Sequence, residues 1–457
     1  MKTALEIILI SVASISLLLS RFALFRLHQP TSPTMWLIKV FTSALSPVLL
    51  LVGILTVSLA AIIASYSVMA IAGISAIFYL VHILTIIRKP ESWDNFHKEW
   101  NELKMMIPKE SRRYYLSKPY VFLLPNVPEP ILQRNISFYT VRGSNRKLLC
   151  DVWQPPKHIT HSGLAFIYLH GSAWTHLDKD YGTRTFFKHL ASQGHVIMDV
   201  AYRLFPETDF MGMLHDTKHA IAWMRANAEK YHVNPTRIVI GGGSAGAHLA
   251  MLAAYTADQE QLTPTDLEDI DVSVCAVVSL YGQSDLTATY YHTRQQLTSD
   301  SALATKEKDT LQRKPSWIQK RMGNDFHRLG FDKDVQPGRL VALLGGTPEE
   351  KPEAYALFSP IAHVHPGCPQ TFFLHGSQDI LAPLDAIRNL RSQLTSADVR
   401  SSLHVVPQAD HAFDLILPRI SPSASYAYYD VERFLAICAY GTLRKSNKIR
   451  NHLSETT

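Results

Sequence analysis

Charge is scarce in this chain, and cysteine scarcer. Of 457 residues only 18% are Asp, Glu, Lys or Arg, against 47% hydrophobic, a low charged share for a wholly soluble protein. The formal net charge is a mild +6. No dense Lys/Arg run interleaved with aromatics occurs, which argues against a nucleic-acid partner. The four cysteines, Cys150, Cys275, Cys368 and Cys438, stand far apart with no C-x-x-C pairing. That argues against a zinc site and a disulfide-dense secreted scaffold, leaving reduced thiols as the expectation. The pair "HVH" (363–365) has no third ligand at metal spacing, so no metal is expected. Internal repeats and extended low-complexity segments are lacking as well.

What the chain does have is long apolar runs, all within residues 1–88. Residues 3–20 carry a single charge, Glu6; residues 40–64 carry none; residues 68–87 form a third run. Roughly 20 apolar residues cross a bilayer as a helix, so two to three transmembrane helices are expected. A cleaved signal peptide is the alternative for the first run, although no clear small-x-small cleavage site precedes Arg21. The basic residues Arg21, Arg26 and Lys39 lie between runs one and two, and Arg88 and Lys89 follow run three. With three spans these flanks place everything after Lys89 in the cytosol, on the endoplasmic reticulum or another endomembrane. The sequon "NIS" at Asn135 is the check, since a glycan there would mean a lumenal domain.

Residues 89–128 read as a connector. Its "ESWDNFHKEWNELKMM" stretch (91–106) has the amphipathic spacing of a helix lying on the bilayer, with a plain spacer helix as the alternative. From 129 to 442 short apolar strands alternate with helical stretches. Strands are predicted at 135–141, 147–153, 164–170, 195–202, 237–242, 274–282, 370–376 and 402–407. The pattern predicts an α/β domain with a mostly parallel eight-stranded sheet flanked by helices. Residues 283–368 are too many for a simple crossover and read as an insertion, in part a lid. A polar tail follows at 443–457.

The chemistry-bearing motifs all fall at predicted strand ends, where sites in such sheets gather. "GGGSAG" (241–246) fits G-x-S-x-G between a strand and a helix, the setting in which a sharp turn exposes a nucleophilic serine. The glycines do not complete a dinucleotide fingerprint in frame, and no cofactor is expected. "LHGSAWTH" (169–176) closes another strand and offers the backbone N–H groups of Gly171 and Ser172, with that of Ala245, to a developing oxyanion. Trp174 is a candidate substrate-pocket wall, with packing beneath the loop as the alternative. Asp379 in "HGSQDILAP" and His411 in "DHAF" complete the order Ser…Asp…His. His411 would move the proton of Ser244, and Asp379 would fix the imidazole tautomer. Asp285 in "YGQSDL" is a rival acid, whereas Asp410 and Asp414 lie too near His411 in sequence to serve easily.

On these motifs the chain resembles the hormone-sensitive-lipase-like branch of α/β-hydrolases. "LHGSAW" resembles its HGGG(A)W loop, "AYRLFPE" (201–207) its YRLAPE segment, and "GGGSAG" its GDSAG elbow; the two carboxy-terminal motifs resemble its acid and base segments. The resemblance implies an α/β-hydrolase fold, a serine hydrolase acting on carboxylic esters without cofactor, and the Ser244–Asp379–His411 set. Joined to apolar spans, the chain is also similar in outline to membrane-bound isoprenylcysteine methylesterases. It departs from the pattern at Ser172 and Ala173, where the family has glycines, and at Gly243, where it has aspartate. Arg203 and Glu207 of "AYRLFPE" are expected to brace the loops as a pair. A membrane-anchored hydrolase acting on a hydrophobic small-molecule ester is the expectation. An acyltransferase of the same fold and a non-catalytic membrane scaffold are the alternatives. Oligomeric state is not legible.

Overall fold

The computed structural model describes residues 2–26, 33–88, 96–171, 173–298 and 335–441. Three helices come first: α1 (Lys2–Leu24), α2 (Pro33–Ile62) and α3 (Tyr66–Ile87). Each has the length and apolar composition to cross a bilayer, with mean hydropathy of 2.2, 2.4 and 2.3 over their best windows. Three residues join α2 to α3, so that pair is antiparallel. The contacts Glu6–Ser65 and Ser16–Ser75 rise together in sequence, so α1 runs parallel to α3. Small residues let the backbones approach: a Cβ on Gly53 of α2 would stand 3.0 Å from that of Ala76 on α3. The outward faces are bare hydrocarbon, with Ile7, Ile15, Leu18, Leu55 and Ile62 all exposed, as a lipid-facing surface requires.

Two short helices follow, α4 (Phe96–Leu103) and α5 (Lys109–Arg112). The apolar face of α4 is taken up by protein. Phe96 is buried against Phe372, and Trp100 packs on Tyr115 with the Arg433 guanidinium over its ring. Residues 91–95 of the expected helix lie outside the described residues, and over α4 the packing favours the spacer alternative. The amphipathic spacing is real, but it serves packing within the protein, because the facing surface there is itself apolar and needs cover.

The eight strands are β1 (Ile131–Thr140), β2 (Lys147–Gln154), β3 (Ala165–Leu169), β4 (Val196–Val200), β5 (Ile238–Gly243), β6 (Ala276–Leu280), β7 (Gln370–Gly376) and β8 (Ser401–Val406). They form one sheet in the order 1-2-4-3-5-6-7-8. β2 is antiparallel to both its neighbours and every other pairing is parallel. All eight coincide with sequence-predicted strands to within a few residues. The central ones are uniformly apolar because both faces are covered. In β3, Ala165, Ile167 and Leu169 enter one core while Phe166 and Tyr168 enter the other.

The first core packs under α7 (Phe210–Ala226) and α8 (Ala245–Tyr255), the second under α6 (Arg184–Ser192), and α12 and α13 complete the layers. Here α9 is Leu286–Thr298, α10 Val335–Leu344, α11 Pro352–Leu357, α12 Leu384–Ser396 and α13 Pro422–Tyr440. Helix α13 also packs against α2, α3 and α4, joining the apolar helices to the sheet domain. Much of the expected lid, residues 299–334, and the tail from 442 onward lie outside the described residues. After β3 the chain turns to β4 on one side and then to β5 on the other. That reversal opens a crevice at the carboxyl ends of β3 and β5.

Candidate active site

Ser244 stands at the end of β5 with φ 52° and ψ −121°, a conformation that a side-chain-bearing residue holds only when its surroundings impose it. The glycines around it explain how. A Cβ on Gly242 would lie 2.2 Å from the carbonyl oxygen of Leu169, and one on Gly246 would lie 2.0 Å from the same atom. Both flanks of the elbow therefore press onto the end of β3, and only glycine fits. The serine hydroxyl is lifted to the amino end of α8, where the N–H of Ala245 has no intrahelical carbonyl to meet.

The hydroxyl meets His411, which is carried by the loop after β8. Nε2 of His411 is 2.8 Å from Ser244 Oγ, and its Nδ1 is 2.9 and 3.1 Å from the two carboxylate oxygens of Asp379. Asp379, in the turn after β7, is itself held by the N–H groups of Leu381 and Ala382, each donating to Oδ1 at 2.8 Å. Burial pushes this carboxyl up. The charge and hydrogen bond of His411, together with His375 and the Ala382 N–H, outweigh burial, so the group sits below the ordinary aspartate range. The three side chains are nearly closed off, with exposures of 8%, 4% and 3% for Ser244, His411 and Asp379. The structure thus brings together residues that are far apart in sequence, in a line along which a proton can move from oxygen to nitrogen.

The loop after β3 lies alongside. A Cβ on Gly171 would be 3.3 Å from that of Ser244, so the backbone there passes close to the serine. Ser172 is outside the described residues. Ala173 and Trp174, where the family loop continues, have φ of 47° and 63°. Ala173 thus takes a left-handed conformation at a position where the family has a glycine. Trp174 is fully buried: Nε1–H donates to His248 Nδ1 at 3.2 Å, and the ring stands edge-on to Phe210. It braces the loop from beneath, which favours the packing alternative over a substrate-pocket wall. The indole is too large and apolar to stay in solvent when a core lies below it.

Other readings change too. Asp285 accepts the N–H of Ala288 and starts α9, so it is not the partner of His411. Arg203 pairs with Asp216 at 2.6 Å, and Glu207 with Arg146 at 2.8 Å, so each braces a loop but not with the other. At Gly243, where the family has aspartate, a Cβ would meet the hydroxyls of Tyr281 and Tyr168 at 3.0 and 3.3 Å. The Tyr281 hydroxyl donates to Asp414 at 2.5 Å, and burial raises that carboxyl to about 6. Gln283 was missed: its Nε2 approaches Ser244 Oγ to 3.4 Å from the end of β6. A polar residue just past the mostly apolar β6, beside Gly282, was the available signal. Among the described residues no cluster of His, Cys, Asp and Glu could hold a metal.

Residues 150–322 match the BD-FAE family model. Esterase LipC of Mycobacterium tuberculosis is 29% identical over 60% of this chain and 59% of its own length. A second protein of that organism, named "Probable carboxylic ester hydrolase LipM", is 28% identical over 63% of this chain and 57% of its own. The chain therefore spans a little over half the length of these relatives. Among solved structures, the native esterase Est2 of Thermogutta terrifontis aligns with 21% identity and a TM-score of 0.49, covering 71% of this chain and 97% of its own.

Proposed function

We propose that this chain, which folds as an α/β-hydrolase and carries a BD-FAE family domain, is a membrane-anchored serine hydrolase that cleaves a carboxylic ester of a hydrophobic small molecule. The observation that carries the reading is the hydrogen-bonded line from Ser244 through His411 to Asp379. Ser244 Oγ attacks the ester carbonyl carbon while His411 Nε2 takes its proton. The tetrahedral intermediate collapses to an acyl-enzyme, and the departing alkoxide leaves with that proton. Water then attacks the acyl carbon, His411 again acting as base, and Ser244 is released. Ionised Asp379 keeps the proton on Nδ1 and steadies the imidazolium as it forms. The N–H groups of Gly171, Ser172 and Ala245 receive the oxyanion. Each of these groups belongs to the protein, and the scheme calls for no cofactor.

The apolar bundle supports the choice of substrate, because a lipophilic ester partitions into the same bilayer that holds the enzyme and is concentrated there. Arg21, Arg26 and Arg88 lie at the same end of the three helices, which favours a cytosolic domain. Full-length protein in detergent micelles, assayed on esters of graded acyl length, tests the reading. Hydrolysis is expected to prefer the longer, more apolar acyl chains. Ser244→Ala is expected to lower kcat/KM by about 10⁴-fold or more. Hydrolysis unchanged by that substitution contradicts the proposal.

A further inference from the structure

Two polar residues of the membrane bundle turn away from it and into the loop that carries His411. Lys39 of α2 is 1% exposed, and its ammonium donates to Asp410 Oδ2 at 2.8 Å. His82 of α3 lies between Ser43 Oγ at 2.9 Å, on Nε2, and Gln408 Oε1 at 2.6 Å, on Nδ1. Asp410 and Gln408 both precede His411 within three residues. Lys39, counted in the sequence as a free basic flank of its helix, is therefore an internal partner.

The other oxygen of Asp410 closes the argument. Its Oδ1 accepts the N–H of His411 at 2.8 Å and the N–H of Ile380 at 3.2 Å. One carboxylate thus fastens the loop of the base, the turn of the acid and a bilayer helix at a single point. The loop needs fastening, because Gln408 and Ala412 hold left-handed conformations, φ 59° and 57°, without being glycine. A buried lysine is costly unless a partner meets its charge, and a buried aspartate equally so. Neutralising or removing either one leaves the other unpaired beside His411, and the loop must move or admit water to solvate it.

We propose that Lys39 is a positioning residue for hydrolysis. Acting through Asp410, it sets the His411 imidazole against Ser244, so that α2 is part of the active-site framework as well as an anchor. The inference rests on Ser244 being the nucleophile, as argued above. A displacement of about 1 Å in a reacting group costs on the order of 10²-fold in rate, so even a small loop shift would register.

The test uses the full chain in detergent micelles and a soluble short-chain ester. Four variants are compared with wild type: Lys39→Met, Lys39→Arg, Asp410→Asn and Ser65→Ala. The last removes the hydrogen bond to Glu6 at the far end of the bundle. A fluorophosphonate probe gives both the fraction of sites labelled and the labelling rate per competent site. Lys39→Met is expected to lower kcat and the per-site labelling rate by about 10- to 100-fold, with KM within about threefold of wild type. Lys39→Arg is expected to recover much of that loss, and Ser65→Ala to match wild type. A Lys39→Met protein whose per-site rate and kcat per labelled site equal wild type overturns the proposal, including when only the labelled fraction falls. If that variant yields no labelled sites, Asp410→Asn decides by the same criterion, since Asn can keep an acceptor for the His411 N–H while losing the charge and the acceptor that meets Lys39. Labelling that survives in a parallel Ser244→Ala sample overturns the nucleophile assignment itself. Labelling lost there, beside a normal Lys39→Met protein, overturns only the role of Lys39.

Discussion

A methyl group on Gly246 would stand 2.0 Å from the Leu169 carbonyl oxygen, and no flexible side chain is there to yield. Gly246→Ala is therefore expected to disrupt the turn, abolishing ester hydrolysis and lowering the thermal midpoint in detergent. Activity near wild type would mean that the elbow tolerates what its geometry forbids. Buried imidazoles give a second residue-level expectation. Burial pushes His195 from 6.5 to about 3, and its Nδ1 is paired with Ser162 Oγ at 2.8 Å. The unfolded chain binds a proton at this site below about pH 6.5, whereas the folded chain does not until near pH 3. The contribution of His195 is thus complete above pH 6.5 and is lost as the pH falls from there toward 3. His195→Asn is expected to flatten the drop in thermal midpoint between pH 6.5 and 4 relative to wild type. Parallel curves would contradict the assignment of a neutral buried imidazole.

At the scale of elements, what the sequence showed depended on how local the cause was. The strands were legible because runs such as "AFIYL" and "IVIGG" are apolar throughout, the mark of strands covered on both faces. The Ser244 elbow was legible because its glycines are contiguous with the serine they position. Trp174 and α4 were left between two readings, and Lys39 was read only as a basic flank, for one shared reason. Each has a sequence pattern that fits a surface role, and each is claimed by a partner more than 70 residues away, namely His248, Phe372 and Asp410. Gln283 went unnoticed because a lone amide carries no motif. The crossing of α2 and α3 is another such long-range fit, and it makes an element-level prediction. Gly53→Leu would drive a branched side chain against Ala76, where a single Cβ already stands at 3.0 Å. Overpacking of this kind costs about 1–3 kcal/mol, so the midpoint of thermal unfolding in detergent is expected to fall. No change would show that the two helices are free to separate.

For the whole molecule, the bundle and the sheet domain form one body, because α13 packs on both and the loop after β8 reaches into the bundle. The side of the membrane on which the domain lies is a separate matter, and Asn135 reports on it. That residue is exposed on β1, where a glycan would meet no obstruction. Expressed into sealed microsomes, the chain is expected to stay unglycosylated at Asn135 and to lose its sheet domain to added protease. A glycan at Asn135 would reverse the orientation without touching the chemistry.

The chemistry is tested most directly by finding the atom that becomes acylated. Full-length protein is exposed to a fluorophosphonate, digested, and its peptides weighed by mass spectrometry. The account predicts a single phosphonyl adduct on the peptide bearing Ser244, absent from Ser244→Ala and formed far more slowly in His411→Ala. An adduct on another residue, or one that persists after Ser244 is replaced, would contradict it.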